Sequence, residues 1–92
     1  MGYIVNFSPE AKEHFLAYKK AGNKIALTRI DRIIEELKVH PEWGIGHPEK
    51  LKNDIQERWS RHIDKKNRMT YQIKETEVLV NVLSTMGHYD DK

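Results

Sequence analysis

Hydrophobic and polar positions at the start of the chain predict one strand followed by two helices. Residues 3–7, "YIVNF", alternate as expected of a half-buried strand. Ser8 and the proline after it are typical of a helix start, and Gly22 is typical of a helix end. Apolar residues with helical spacing resume directly afterwards and stop before Pro41. The short connection between the two helices predicts an antiparallel hairpin.

The second helix has the clearest amphipathic pattern in the chain. Its apolar stripe consists of Ala26, Ile30, Ile33, Ile34 and Leu37. Its other side carries mixed charge, which is most often a solvated face. That side consists of Lys24, Arg29, Asp31, Arg32, Glu35 and Glu36.

The second half of the chain predicts a loop and then three strands. Residues 41–49, "PEWGIGHPE", are rich in proline and glycine and indicate a loop. The strand-like runs are "ERWSRHI", "NRMTYQI" and "EVLVNVLS", and the last is apolar on most of both sides, so it should lie inside the sheet. The predicted fold is a single α+β domain over residues 1–92. It has an N-terminal strand, a helical hairpin packed on one sheet face, and an antiparallel meander (β-α-α-β-β-β).

Composition narrows the classes of function. The 92 residues include no cysteine, which excludes a disulfide, a thiol nucleophile and a cysteine-based zinc site. No segment approaches the roughly 20 apolar residues of a membrane span, so a soluble, cytoplasmic protein without membrane contact is expected. The five histidines lack metal-ligand spacing, and "GIGHPEK" lacks the ending of a phosphate-binding loop. No metal site and no cofactor are predicted.

Basic and aromatic residues concentrate after position 48, although the formal net charge of the chain is only +2. In "RWSRHI", Arg58, Ser60 and His62 should face one way and Trp59, Arg61 and Ile63 the other. A basic face turned away from the helices would suit single-stranded RNA, whereas the plainer reading is that these charges keep a small sheet soluble. The tryptophan of this run is expected in the core or at an interface rather than as a platform for bases.

The run "HPEKLKNDIQERWSRHIDKKNRMTYQI", followed by "GHY" after the last strand, resembles the YoeB/Txe branch of the RelE/ParE superfamily of bacterial toxins. The elements that carry the resemblance are Pro-Glu-x-Leu-Lys, Trp-Ser-Arg, Asn-Arg-hydrophobic-x-Tyr and His-Tyr. They occur in the family's order and at about its spacing over residues 42–89. Taken together they are specific, although each alone is weak.

The resemblance implies an endoribonuclease, or mRNA interferase, that cleaves messenger RNA on the ribosome without a metal. By matching position, Glu49 would be the general base, Arg68 would stabilise the phosphoryl charge, and His88 would be the general acid, while Tyr89 would help place the substrate. The residues expected to hold RNA are Lys50, Lys52, Arg61, His62 and Lys65. Of these, His62 stands where the family often has a second arginine.

Cleavage of RNA by attack of a 2′-hydroxyl requires a base, a charge stabiliser and an acid, whichever family the protein belongs to. A 2′-hydroxyl needs an acceptor for its proton as it attacks, and a carboxylate can serve. The leaving oxygen needs a proton donor, and the reference pKa of histidine, about 6.5, suits that task. A guanidinium offers a planar fork to the phosphoryl oxygens.

Two other functions remain open from the sequence. One is a non-catalytic ParE-like toxin that binds gyrase, and the other is a small basic module that binds RNA or the ribosome. The resemblance further implies a cognate antitoxin of the YefM/Axe type, messenger RNA in the ribosomal A site, and a homodimer as partners.

Overall fold

The computed structural model describes residues 2–87. In this part of the chain the strands are β1 (Ile4–Phe7), β2 (Glu49–Lys50), β3 (Trp59–His62), β4 (Arg68–Lys74) and β5 (Leu79–Ser84), and the helices are α1 (Pro9–Lys20) and α2 (Lys24–Leu37). A 3-10 turn, Glu75–Glu77, joins β4 to β5. Neither of the two described helices is long and apolar enough to cross a membrane.

Local contacts explain where the helices begin and end. Ser8 Oγ accepts a hydrogen bond from the main-chain N–H three residues further on, at 3.0 Å, and Pro9 takes the first helical position. Asn23 Oδ1 makes the equivalent contact for α2, at 3.1 Å. Gly22 has φ of +68°, a left-handed conformation that ends α1. The helix start at Ser8 and the stop at Gly22 are therefore confirmed.

The five described strands form one mixed sheet in the order β1-β5-β4-β3-β2. β5 lies in its interior, antiparallel to β4 and parallel to β1. β3 is antiparallel to both β4 and β2. The helical hairpin covers one face of this sheet. The opposite face carries neither described helix, and we call it the open face. It is defined by Glu49, Ser60, Thr70, Arg68 and His62, of which Ser60 and Thr70 are nonetheless buried, at 2% and 6% exposure.

The structure confirms the predicted α+β class and the helical hairpin. It also confirms the antiparallel meander of β3 to β5 and the interior position of the last strand. The structure adds the parallel pairing of β1 with β5. It also adds β2, which begins at the last residue of the segment predicted as a loop. This strand contains only Glu49 and Lys50, so no apolar alternation marks it in the sequence, and its pairing with β3 creates it.

The hydrophobic core lies between the hairpin and the sheet. Its buried members are Ala11, Tyr18, Ala26, Ile30, Ile33, Leu37, Ile63, Met69, Tyr71, Val80 and Val82. Val5 and Phe7 pack against this cluster while Ile4 is exposed, which confirms the predicted alternation of β1. Trp59 also packs against the cluster, as expected.

Candidate functional site

Strand pairing places Glu49 and Arg68 on the same face of the sheet. Glu49 lies opposite Ser60, and Ser60 lies opposite Thr70. Arg68 precedes Thr70 by two positions on β4, so both side chains point to the same side. Met69, between them, is fully buried in the core, which identifies that side as the open face. With strands about 4.8 Å apart and residues about 3.4 Å apart along a strand, the α-carbons of Glu49 and Arg68 are roughly 12 Å apart.

The end of the described chain is fixed beside Arg68. The carbonyl of Gly87 accepts a hydrogen bond from Arg68 N at 3.1 Å, and Gly87 N donates to Asn67 Oδ1 at 3.0 Å. Asn67 is held in turn by Asp64, whose carboxylate accepts from Asn67 N at 2.7 Å. Burial alone would raise the pKa of Asp64, but hydrogen bonds from the main chain of Asn67 and Lys66 outweigh it, and the pKa lies below its ordinary value.

The predicted general acid His88 and its neighbour Tyr89 lie outside the described residues. Gly87 is the last residue whose contacts the structure describes. Both of its hydrogen bonds are to β4 or to the turn before it. The described chain therefore ends beside Arg68.

A groove of about 640 Å³ lies next to Thr70. The first turn of α1, the end of β5, Gln56 and Arg58 contribute to its lining. The guanidinium of Arg58 is oriented by Asp54, with Nε to Oδ2 at 3.0 Å and Nη2 to Oδ1 at 2.7 Å. Hydrogen bonds from the Arg58 side chain and main chain lower the pKa of Asp54 to about 2. The groove thus has a cation of fixed orientation at its edge, which the sequence prediction did not include.

His62 is the predicted RNA-binding residue that shares the open face with the candidate catalytic groups. It lies directly opposite Arg68 on the neighbouring strand. Its ring centroid is 6.4 Å from that of His47. Within residues 2–87, no three histidine or acidic side chains are grouped in a way that could hold a metal ion.

The three predicted RNA-binding lysines do not occupy open-face positions of the strands. Lys50 alternates with Glu49, so its side chain leaves β2 on the other side, and its Nζ lies 3.6 Å from an oxygen of Glu57. Lys52 and Lys65 are exposed and lie outside the strands. None of the three lies on the strand positions that form the row from Glu49 to Thr70.

Arg61 lies in the interior, not on the surface where an RNA contact was expected. Its side chain has 0% exposure and points towards α2, on the same side as Trp59 and Ile63. An arginine has five N–H donors. The acceptors are Tyr71 Oη (3.1 Å), Glu36 Oε1 (2.6 Å) and the carbonyls of Ile45 (3.2 Å), His40 (3.2 Å) and Trp43 (3.0 Å). Every donor is thus matched inside the protein, and Arg61 is not carried into the proposed RNA site.

Glu36, expected on the solvated side of α2, is the ionic partner of Arg61, so that expectation was wrong for this residue. Its side chain is only 17% exposed. Its Oε1 also accepts a hydrogen bond from Ile45 N at 2.9 Å. Burial would raise the pKa of Glu36, but the hydrogen bonds from Arg61 and Ile45 outweigh it, and the pKa lies below its ordinary value.

Comparison with known proteins identifies the family of this chain. The profile of the family described as "YoeB-like toxin of bacterial type II toxin-antitoxin system" matches residues 7–89. The chain belongs to the YoeB-like toxin family. It is 41% identical over 85 residues to Toxin YoeB of Mycobacterium bovis, an alignment that covers 92% of this chain and 96% of the relative.

Two solved structures of the family from Staphylococcus aureus have the same fold. A YoeB dimer superposes with a TM-score of 0.81 at 26% identity, and a YoeB-YefM complex with a TM-score of 0.78 at 27% identity. In both cases the match covers 95% of this chain and 98% of the other. The chain is therefore a type II toxin of the YoeB/RelE family, and Glu49, Arg68, His88 and Tyr89 all fall within the matched region.

Proposed function

We propose that this toxin is an endoribonuclease that cleaves messenger RNA on the ribosome with no metal ion or other cofactor. Glu49 takes the proton of a ribose 2′-hydroxyl, Arg68 stabilises the phosphoryl charge, and His88 donates a proton to the leaving oxygen. Tyr89 helps to place the substrate. The observation that supports this most is the placement of Glu49, Arg68 and the end of the described chain around one face of the sheet.

The proposed step exchanges one phosphate ester bond for another. The 2′-oxygen bonds to the adjacent phosphorus while the bond from phosphorus to the 5′-oxygen breaks, which leaves a 2′,3′-cyclic phosphate and a 5′-hydroxyl. One proton moves to the base and one comes from the acid, so the protons balance. In-line attack needs the base and the acid on opposite sides of the phosphate. Glu49 lies on the edge strand β2, whereas the described chain ends at Gly87, beyond the interior strand β5 and beside Arg68.

Charge along the open face supports RNA as the substrate. Arg68 presents a planar fork suited to phosphoryl oxygens. Arg58 precedes Ser60 by two positions, immediately before β3 begins, and so lies on the side of the row away from Arg68. Asp54 holds the guanidinium of Arg58 in place and accepts from its Nε and Nη2, so the remaining N–H groups of Arg58 are oriented for a neighbouring phosphate. Two arginines therefore flank the row that contains the general base.

Partners follow from the relatives. The Staphylococcus aureus structures are of a YoeB dimer and of a YoeB-YefM complex. We extend this to a cognate antitoxin of the YefM/Axe type, a homodimer, and action in the cytoplasm on the ribosomal A site. Growth arrest by the toxin alone, reversed by a neighbouring gene's product, supports the antitoxin; growth that is unaffected by the toxin contradicts the proposal.

The test is primer extension on messenger RNA translated in the presence of the purified toxin. Wild type should cut within the ribosomal A site. Glu49→Gln and His88→Gln should each lower the rate by about 100-fold or more, because acid-base groups contribute about 10²–10⁴-fold. Arg68→Lys should lower it by a similar factor, because a lysine lacks the fork.

Matched controls come from exposed residues of the same types. Glu77→Gln on the 3-10 turn and Arg32→Lys on α2 should cleave like wild type. Cleavage that survives in all three active-site variants would contradict the assignment. Intact message together with blocked DNA supercoiling would support the gyrase-binding alternative instead.

A further inference from the structure

The loop of residues 38–48, which leads from α2 to Glu49, is held from within the protein by three side chains. Arg61, Glu36 and Tyr71 form this group, and we call it the loop clamp. We propose that the loop clamp positions the general base: it acts through the loop and does not touch RNA. The inference rests on the proposed function, because positioning matters for cleavage only if Glu49 is the base.

The first support is the number of main-chain groups that the loop clamp binds. Arg61 donates to three carbonyls, and Tyr71 Oη donates to a fourth. The four carbonyls are those of His40, Pro41, Trp43 and Ile45, and Glu36 accepts from the N–H of Ile45. Residues 40–45 are therefore fixed along most of their length by side chains from α2, β3 and β4.

The second support is that Glu49 has little else to fix it. β2 is an edge strand of two residues, and so short a pairing is weak on its own. Between the loop clamp and β2, the carbonyl of Gly46 accepts a hydrogen bond from His62 N at 2.7 Å. A shift of the loop would thus pass through Gly46 to Glu49. The loop clamp therefore determines the position and direction in which the loop enters β2.

The third support is the pair of glycines in "WGIGHPE". A β-carbon at Gly44 would collide with the carboxylate of Glu36 and lie 2.9 Å from Arg61 Nη1. A β-carbon at Gly46 would lie 2.7 Å from the carbonyl of His62. Both glycines also have positive φ, +135° and +83°. The two glycines are therefore required for the close approach of this loop to Glu36, Arg61 and His62.

The fourth support is energetic. A buried ion pair contributes little stability compared with apolar residues of the same volume, because both charges lose their hydration. A buried arginine with all five donors matched does something that an apolar residue cannot, which is to select one loop conformation by direction as well as by fit. That property suits a group whose distance from the reacting atoms decides the rate.

The experiment combines kinetics with hydrogen exchange on the purified toxin. Tyr71→Phe removes the hydroxyl that joins Arg61 to Pro41, and Arg61→Lys keeps the charge but loses the fork. Each should lower the single-turnover rate constant at saturating toxin by roughly 10- to 100-fold, since small misplacement has effects of that order. The toxin concentration at half-saturation should change less than threefold. The amide of Ile45 should exchange faster in both variants.

Ile30→Val is the matched control, because it weakens the same core but removes none of the hydrogen-bonding groups of the loop clamp. It should leave the rate constant and the exchange of Ile45 unchanged at a temperature where all variants are folded. In a Glu49→Gln background, Tyr71→Phe should cause no further loss. Such non-additivity is expected if Tyr71 acts through Glu49, and a general loss of stability would not produce it.

Three results overturn the inference in distinguishable ways. Wild-type rate constants in Tyr71→Phe and Arg61→Lys, with Glu49→Gln inactive, would refute the loop clamp while leaving the proposed function standing. Equal losses with and without Glu49 would assign the loop clamp to stability alone. Wild-type cleavage by Glu49→Gln would refute the general base and, with it, the need to position that base.

Discussion

Removal of the Glu36 carboxylate should destabilise this small domain strongly. In Glu36→Ala, Arg61 keeps its charge at 0% exposure but loses its 2.6 Å ionic partner, and Ile45 N loses its acceptor. Breaking a buried pair by removing one member costs about 3–5 kcal/mol. Because Glu36 itself is 17% exposed, we expect the lower end, about 3 kcal/mol.

Urea unfolding followed by circular dichroism measures this loss. With a slope of about 1.5 kcal/mol/M, a loss of about 3 kcal/mol lowers the midpoint by about 2 M. Glu36→Gln keeps an oxygen acceptor but not the charge, so it should lose about 1–2 kcal/mol. The matched control is Glu35→Ala, whose exposed pair with Lys38 should contribute under about 0.5 kcal/mol.

Comparison of Glu36→Ala with Glu35→Ala tests whether the buried pair stabilises the protein more than the exposed one. A loss below about 1 kcal/mol in Glu36→Ala, or one equal to that of Glu35→Ala, would show that water or another acceptor replaces Glu36. The slope must also stay constant between variants, because a change in slope would indicate a different unfolded or native state.

Four further predictions concern other contacts. The pKa of Asp54, about 2, lies below the value of about 3.9 for an unfolded chain, so its stabilising contribution is complete above about pH 4 and lost as the pH falls towards 2; urea midpoints from pH 2 to 5 should therefore flatten in Asp54→Asn. Gly44→Ala should destabilise more than Gly22→Ala in the same assay, because both have positive φ but only Gly44 has neighbours in the way. Tyr18→Phe should lose about 1–2 kcal/mol in thermal melts, because a buried carbonyl loses its 2.6 Å donor, and the tyrosine with a pKa of about 12 should vanish from an alkaline absorbance titration. His62→Arg should tighten binding of a short RNA severalfold in fluorescence anisotropy, by adding a forked cation opposite Arg68; unchanged affinity would remove position 62 from the site.

Hydropathy and end signals were sufficient for most of the fold. The two ends of α1 could be predicted from Ser8 and Gly22, because capping depends on residues within one turn of each other. The apolar run of β5 predicted its interior position, and in the sheet β5 does lie between β1 and β4. β2 could not be predicted, since its existence depends on a partner strand distant in sequence and not on its own two residues.

The role of Arg61 shows where pattern-based prediction of the site stopped. Alternation already placed it beside Trp59 and Ile63 on the face that packs, and this conflicted with the family-based expectation of a phosphate contact. The missing fact was the carboxylate: Glu36 follows Ile33 by three positions and so borders the apolar stripe of α2. Periodicity reports the direction of a side chain and leaves its depth undetermined, so a border position can be solvated or can hold a buried partner.

Geometry and family resemblance support the same proposed catalytic residues. The strand register gives a physical reason for Glu49 and Arg68 to act on one phosphate. The main chain of Gly87, the last described residue, is hydrogen-bonded to Arg68 and Asn67. Neither observation depends on what relatives do.

The most direct test of the central claim changes the RNA and leaves the protein intact. Ribosomes are programmed with a messenger RNA that carries a single 2′-deoxynucleotide at the cleaved position, and with a fully ribose control. Attack by the 2′-hydroxyl predicts that the toxin cuts the control to a 2′,3′-cyclic phosphate and a 5′-hydroxyl and leaves the substituted message intact. Cleavage of both messages at the same position would contradict the account.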